Sequence, residues 1–132
     1  MPEPIARDRY LHLIADESIS FTHRLLWVLL WDGELRLPDL LSLDVRDVDL
    51  ESSTAFVEFP KEGTPEAVPL SPNARMMVRF AIDHRTEGPL FVTESGQPLS
   101  RETAAKQARK AGVSIHGFRL GGQCERLESA SS

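Results

Sequence analysis

The chain has 132 residues, with 15 Lys and Arg against 20 Asp and Glu and a formal net charge of −5. At that length it is one domain, or a fragment of one, with a single modest core, and 41% hydrophobic with 27% charged residues is an ordinary globular composition that argues against wholesale disorder. One cysteine, Cys124, excludes an internal disulfide framework and a cysteine-built zinc site. The longest apolar run, Leu25–Trp31, is seven residues, far short of a membrane span. Met1-Pro2-Glu3-Pro4 opens no secretory leader, so a cytoplasmic protein is the expectation.

The charge is uneven. Residues 1–66 hold 14 acids and 6 bases, with the acids concentrated between Asp32 and Glu66. Residues 67–132 hold 6 acids and 9 bases, including a cluster at Arg101, Lys106, Arg109 and Lys110. Such a split describes either two solvated faces or a C-terminal half turned towards an anionic partner.

In chain order, Ile5–Ala15 carries Ile5, Tyr10, Leu11, Leu13 and Ile14 at helical spacing. A second helix begins near Ser20 or Thr22 and runs to Trp31; its Leu25–Trp31 stretch is apolar on all sides and so belongs in the centre. Trp27 and Trp31, four residues apart, read as core or core edge. Asp32-Gly33 stops this helix, and a short one follows at Leu37–Ser42 with Pro38 in its first turn. After Val45–Leu50, Thr54–Phe59 alternates Ala55, Val57 and Phe59 as a strand. Pro60–Pro65 turns around Gly63, and Glu66–Leu70 returns as the second strand of a hairpin.

Ser71-Pro72 opens a helix to about Arg85, with Met76, Met77, Phe80 and Ala81 expected inward. Leu90-Phe91-Val92 is a short buried segment. Ser100 caps a helix that ends at Ala111-Gly112. Val113–Ile115 is expected to be extended, and a last helix from Gly117 to be interrupted at Gly121-Gly122, with Glu128–Ser132 frayed. Helices, a small hairpin sheet, then helices again make an α+β, mostly α domain.

Three groups of polar residues invite chemistry. Arg36 and Asp39 share a helical face, as a guanidinium with its orienting carboxylate or as a plain surface ion pair. Lys61 sits near the hairpin tip, either solvated or reaching for a phosphate. His116 and Arg119, three apart at a helix start, can converge on one anion.

The order of these blocks is more specific than any one of them. G-x-L-R-x-x-D-L-L-S-L, then Asp47-Val48-Asp49-Leu50, then K-x-G-x-x-x-x-V-P-L-S-P, P-L-F, G-x-P-L-S and H-x-x-R together resemble the catalytic domain of tyrosine recombinases, the phage-integrase family. The resemblance runs from Ile5 to Leu120. It implies a domain over residues 1–127, with 128–132 as a tail. It also implies a metal-free, cofactor-free chemistry in which two arginines and a histidine hold the scissile phosphate, a hairpin lysine protonates the leaving oxygen and a tyrosine attacks phosphorus. On that match Arg36, Lys61, His116 and Arg119 are phosphate-binding residues and Asp39 buttresses the arginines.

The departures are as informative. Gly33-Glu34-Leu35-Arg36 is one residue longer than the usual G-L-R, Thr64 and Glu66 replace hairpin bases, Gly117 replaces an Asp and Leu120 a His. The sequence stops 13 residues after Arg119, and its only tyrosine, Tyr10, lies in the first predicted helix. The expectation is therefore a truncated, integrase-like DNA-binding module without strand-exchange activity of its own. Its expected partners are DNA, held weakly and salt-sensitively, and a complete recombinase or a second copy. The alternatives are a protein-interaction module that has kept the fold and lost DNA affinity, or an enzyme completed in trans by another chain's tyrosine. A shortened C-terminus is also expected to fold back as a cap through Leu120, Cys124 and Leu127, so that Leu127→Asp would lower solubility or stability.

Overall fold

A computed structural model describes residues 3–33, 35–58 and 65–131. Its helices are α1 (Arg7–Ile14), α2 (Phe21–Asp32), α3 (Leu37–Leu41), α4 (Pro72–Ile82), α5 (Arg101–Lys110) and α6 (Ile115–Ser131). The strands β1 (Val48–Asp49), β2 (Thr54–Glu58) and β3 (Pro65–Pro69) form an antiparallel sheet in that order. This is the α+β, mostly helical domain that the pattern predicts, with β1 added to the hairpin. Phe59 and the turn carrying Lys61 and Gly63 lie outside the described residues.

The centre is α2. Leu25, Leu26, Trp27, Val28, Leu29 and Leu30 are all buried. An all-round apolar helix is stable only when every side meets another element, and α1, α3, α4 and α6 supply those contacts. Trp27 stacks on Phe118 of α6 at 4.8 Å between ring centroids, and Trp31 stacks on Tyr10 of α1 at 4.0 Å. Both tryptophans are thus core or core edge, as expected. Burial pushes the Tyr10 phenol up, and Asp32 adds to the effect, so this hydroxyl stays protonated.

Several acids of the first half cap turns. Asp44 caps a 3₁₀ turn at Val45–Asp47 by accepting from the Arg46 amide at 2.9 Å and also accepts from the Gly88 amide at 3.2 Å. The hydrogen bond from the Arg46 side chain holds the Asp44 carboxyl below its usual range. Asp49 accepts from the Glu51 amide at 3.0 Å, and the Ser52 hydrogen bonds hold its carboxyl low as well.

In β2, Ala55 and Val57 face the core and Phe56 faces out, the period-two pattern expected of a half-buried strand. Leu90 and Phe91 are buried, and their backbone bonds tie two sequence blocks together: the Leu90 amide donates to the Leu43 carbonyl at 2.9 Å and the Leu99 amide to that of Phe91 at 3.0 Å. These links set the start of α5, which Ser100 caps by accepting from the Thr103 amide at 3.1 Å.

Four expectations are overturned. On α4 the buried residues are Ala74, Val78 and Ile82, while Met76 is 66% and Phe80 72% exposed; Met77 and Ala81 are half-buried. The inward stripe runs i, i+4, i+8 from Ala74, three residues after the N-cap Ser71, and leaves the larger Met76 and Phe80 two positions out of phase. Ile115 begins α6 and ends no extended segment. Gly121 and Gly122 do not interrupt the helix, because α6 crosses the end of α2 so closely that a Cβ at Gly121 would meet the Ile5 carbonyl oxygen and Trp31, and one at Gly122 the Trp31 carbonyl oxygen. The helix continues through the predicted frayed tail to Ser131, with Cys124 and Leu127 exposed, so neither folds back as a cap.

Candidate functional site

Arg36 is delivered by the turn that ends α2. Gly33 adopts φ +80°, a left-handed conformation that closes the helix with its amide on the Leu29 carbonyl. Leu35 and Leu37 are buried on either side of Arg36, which forces the intervening side chain outward. Arg36 is thus the extended N-cap residue of α3. Asp39 accepts from the main-chain amide of Arg36 at 3.3 Å. This bond holds the Arg36 backbone at the helix start, and no ion pair joins Asp39 to the Arg36 guanidinium among the described residues.

His116 and Arg119 come from the first turns of α6. The N-terminal segment braces that turn, with the Ile5 amide donating to the Gly117 carbonyl at 3.0 Å. A Cβ at Gly117 would meet the Glu3 carbonyl oxygen and the Ile5 side chain. This close approach accounts for glycine where the resemblance expects an Asp. His116 and Arg119 share a helix face, His116 exposed and Arg119 half-buried.

The two sources meet. Arg36, His116 and Arg119 line one cleft of about 390 Å³, together with Leu30, Leu37, Pro38, Leu120 and Arg101. Three guanidinium groups and an imidazole therefore surround a partly apolar hollow at the N-terminal end of a 17-residue helix. Low-polarity walls strengthen charge–charge attraction, and the helix terminus adds partial positive charge. The Arg119 Nε is buried with no hydrogen-bond partner among the described residues. A buried donor left unpaired is costly unless an acceptor completes it. Leu120 lines the cleft where the resemblance expects a histidine, so one donor is exchanged for apolar wall.

Lys61 lies outside the described residues. Tyr10 is in the core against Trp31 and is not among the cleft-lining residues. Arg101 is the site residue that sequence reading missed. It was grouped with the basic cluster, but its signal was the Ser100 cap, which puts it at the first position of α5 beside the Leu90–Leu99 links. Arg101 also lines a second hollow with Glu102, Lys106 and Arg109, so three cations against one acid continue from the cleft along α5. No group of His, Cys, Asp and Glu among the described residues has the arrangement of a metal site, and no described helix is long and apolar enough to cross a membrane.

A cleft of convergent cations on a helical domain with a small sheet has the chemistry to receive an anion. Residues 7–119 match the model of the phage integrase family, and the chain belongs to that family. Among solved structures, XerA recombinase superposes with a TM-score of 0.80 at 21% identity, covering 98% of this chain and 50% of that one. The Tn1549 transposon integrase in complex with a circular intermediate DNA gives 0.77 at 16%, covering 98% and 54%. The integrase from mycobacterium phage Brujita gives 0.76 at 20%, covering 100% and 46%. The chain spans about half the length of these structures. A search of curated protein sequences finds no match.

Proposed function

We propose that this chain is a DNA-binding module of site-specific recombination or integration that seats a backbone phosphate among Arg36, His116 and Arg119 and does not exchange strands on its own. The observation that carries the reading is the cleft itself: cations from two distant parts of the sequence converge, and one of them holds a buried, unpartnered donor. A phosphodiester oxygen supplies the acceptor that Arg119 Nε lacks, and Arg36 and Arg101 offer the forked geometry suited to phosphate. The basic face of α5 extends the contact along the nucleic acid, and Lys61, which lies outside the described residues, is assigned to the same phosphate only by its sequence match to the family lysine. The net charge of −5 does not oppose this, because no Asp or Glu is among the residues that line the cleft.

Strand exchange through a tyrosine needs an exposed phenol beside the phosphate. The one tyrosine here is buried, stacked and held protonated. The partners that fit are DNA and a recombinase, whether complete or a second copy; related folds include a lambda integrase dimer bound to a core site and a tetramer bound to a Holliday junction.

Fluorescence anisotropy with a labelled duplex tests the reading. Binding should weaken as salt rises, and Arg36→Ala with Arg119→Ala should weaken it by roughly 100-fold at low salt, two charge-assisted contacts being lost. A suicide substrate should yield no covalent adduct. Absence of binding at low salt, or affinity indifferent to the double substitution, would overturn the proposal.

A further inference from the structure

We infer that Arg126 is a positioning residue for the phosphate cleft: from the middle of α6 it grips the end of α2 and thereby sets where Arg36 stands relative to His116 and Arg119. The inference rests on the reading of that cleft as a phosphate site and goes beyond it by assigning the residue that spaces its cations.

The last carbonyls of a helix have no partner within it. At the end of α2, Arg126 Nη1 donates to the Trp31 carbonyl at 2.8 Å. Its guanidinium also occupies the space over Gly33, where a Cβ would collide with Nη2. The contact is built from both sides, because Gly122, one turn earlier on α6, has no Cβ to push the two backbones apart. A cation at a helix C-terminus also meets the negative end of the helix dipole.

Other groups hold the same place. Ser71 Oγ donates to the Asp32 carboxylate at 2.9 Å, and Tyr10 stacks on Trp31. Arg126 differs from both in coming from the helix that carries His116 and Arg119. Seven residues separate Arg119 from Arg126, roughly 10 Å of rigid helix. The cleft cations therefore sit at two ends of one mechanical link: His116 and Arg119 on α6, and Arg36 three residues beyond the glycine that Arg126 covers. Arg126 itself does not line the cleft, so it acts through Arg36 without touching the phosphate.

The test uses the full chain and a labelled duplex at low salt, with Arg126→Ala and Arg126→Lys made in the parent and in the Arg36→Ala background. Arg126→Ala should weaken binding roughly tenfold, about as much as Arg36→Ala, and the double variant should bind no more weakly than Arg36→Ala alone. Arg126→Lys keeps a donor for the Trp31 carbonyl and should recover part of the loss. Equal losses in both backgrounds would overturn the inference, since Arg126 would then act through its own charge or through general stability. A second readout is independent of DNA: in ¹H–¹⁵N spectra of Arg126→Ala, the Arg36 amide and Nε–H signals should move and the His116 amide should stay. If that variant fails to fold, Arg126→Met, which keeps the aliphatic stem and loses every donor, is read in the same way. If the parent does not bind DNA, the phosphate reading fails by itself, and the spectra alone decide: unmoved Arg36 signals refute the positioning role and displaced ones support it.

Discussion

Helix α4 meets the core through Ala74, Val78 and Ile82 and leaves Met76 and Phe80 in solvent, whereas α6 meets the end of α2 through Gly121 and Gly122, backbone against backbone. Both contacts involve α2, yet they are built at different distances. On the α4 side a branched side chain fills the gap. On the α6 side there is no gap to fill. The size of a buried residue therefore reports how near two backbones come, and a large apolar side chain reports only that a residue tolerates burial. The close seam is also the one that joins the two halves of the cationic cleft.

The comparison breaks most sharply at Gly122. Gly122→Val would improve helix propensity slightly, but its Cβ must enter the space of the Trp31 carbonyl. Neither backbone can give way without moving the helix, so the loss should be about 3 kcal/mol or more, at the upper end of overpacking effects. Urea denaturation checks it, and a variant as stable as the parent would mean the seam is slack. Affinity for a duplex should fall with it.

On α4 the two faces can be set against each other in one experiment. Val78 is 1% exposed, and Val78→Ala should cost about 2 kcal/mol in lost burial and cavity. Phe80 rests on Phe21 at 4.9 Å between ring centroids but is 72% exposed. Phe80→Ala should therefore stay within about 0.5 kcal/mol. The reverse order of effects would restore the inward face that residue size suggests.

These contrasts locate what the sequence could convey. The central helix was legible because Leu25–Trp31 is apolar on every side, and the hairpin because Ala55, Val57 and Phe59 fall at alternate positions beside a Gly63-bearing turn sequence. The helix start at Ser100 was legible because a cap is a local device. Arg36, His116 and Arg119 were legible through the order of their blocks, and they line one cleft. Whatever depends on the separation of two elements was not legible. Glycine reads as a helix stop both at Gly33, where φ is +80° and the helix does end, and at Gly121-Gly122, where only the fold shows that it lets two helices touch instead. The phase of α4 failed for a related reason: Met76, Met77 and Phe80 outweigh Ala74 and Val78 in any count of hydrophobicity, but the start of the helix at Pro72 decides which stripe turns inward. Arg101 and Arg126 were missed because their partners, the cleft and the Trp31 carbonyl, are distant in sequence.

The smallest effect belongs to the far end of α6, where the seam has ended. Leu127 is 70% exposed, one residue beyond the guanidinium that grips α2. An apolar residue that position suggested as a cap is, by its exposure, an ordinary surface leucine. Leu127→Asp removes little buried area, so urea denaturation should give a stability within about 0.5 kcal/mol of the parent. The side chain of Arg126, its immediate neighbour, points to α2, and successive helix residues face different ways. The substitution should therefore leave the clasp intact and DNA affinity nearly unchanged. A drop in stability as large as that of Val78→Ala would show that Leu127 is covered in solution, and the boundary of the close seam would then move outward by a turn.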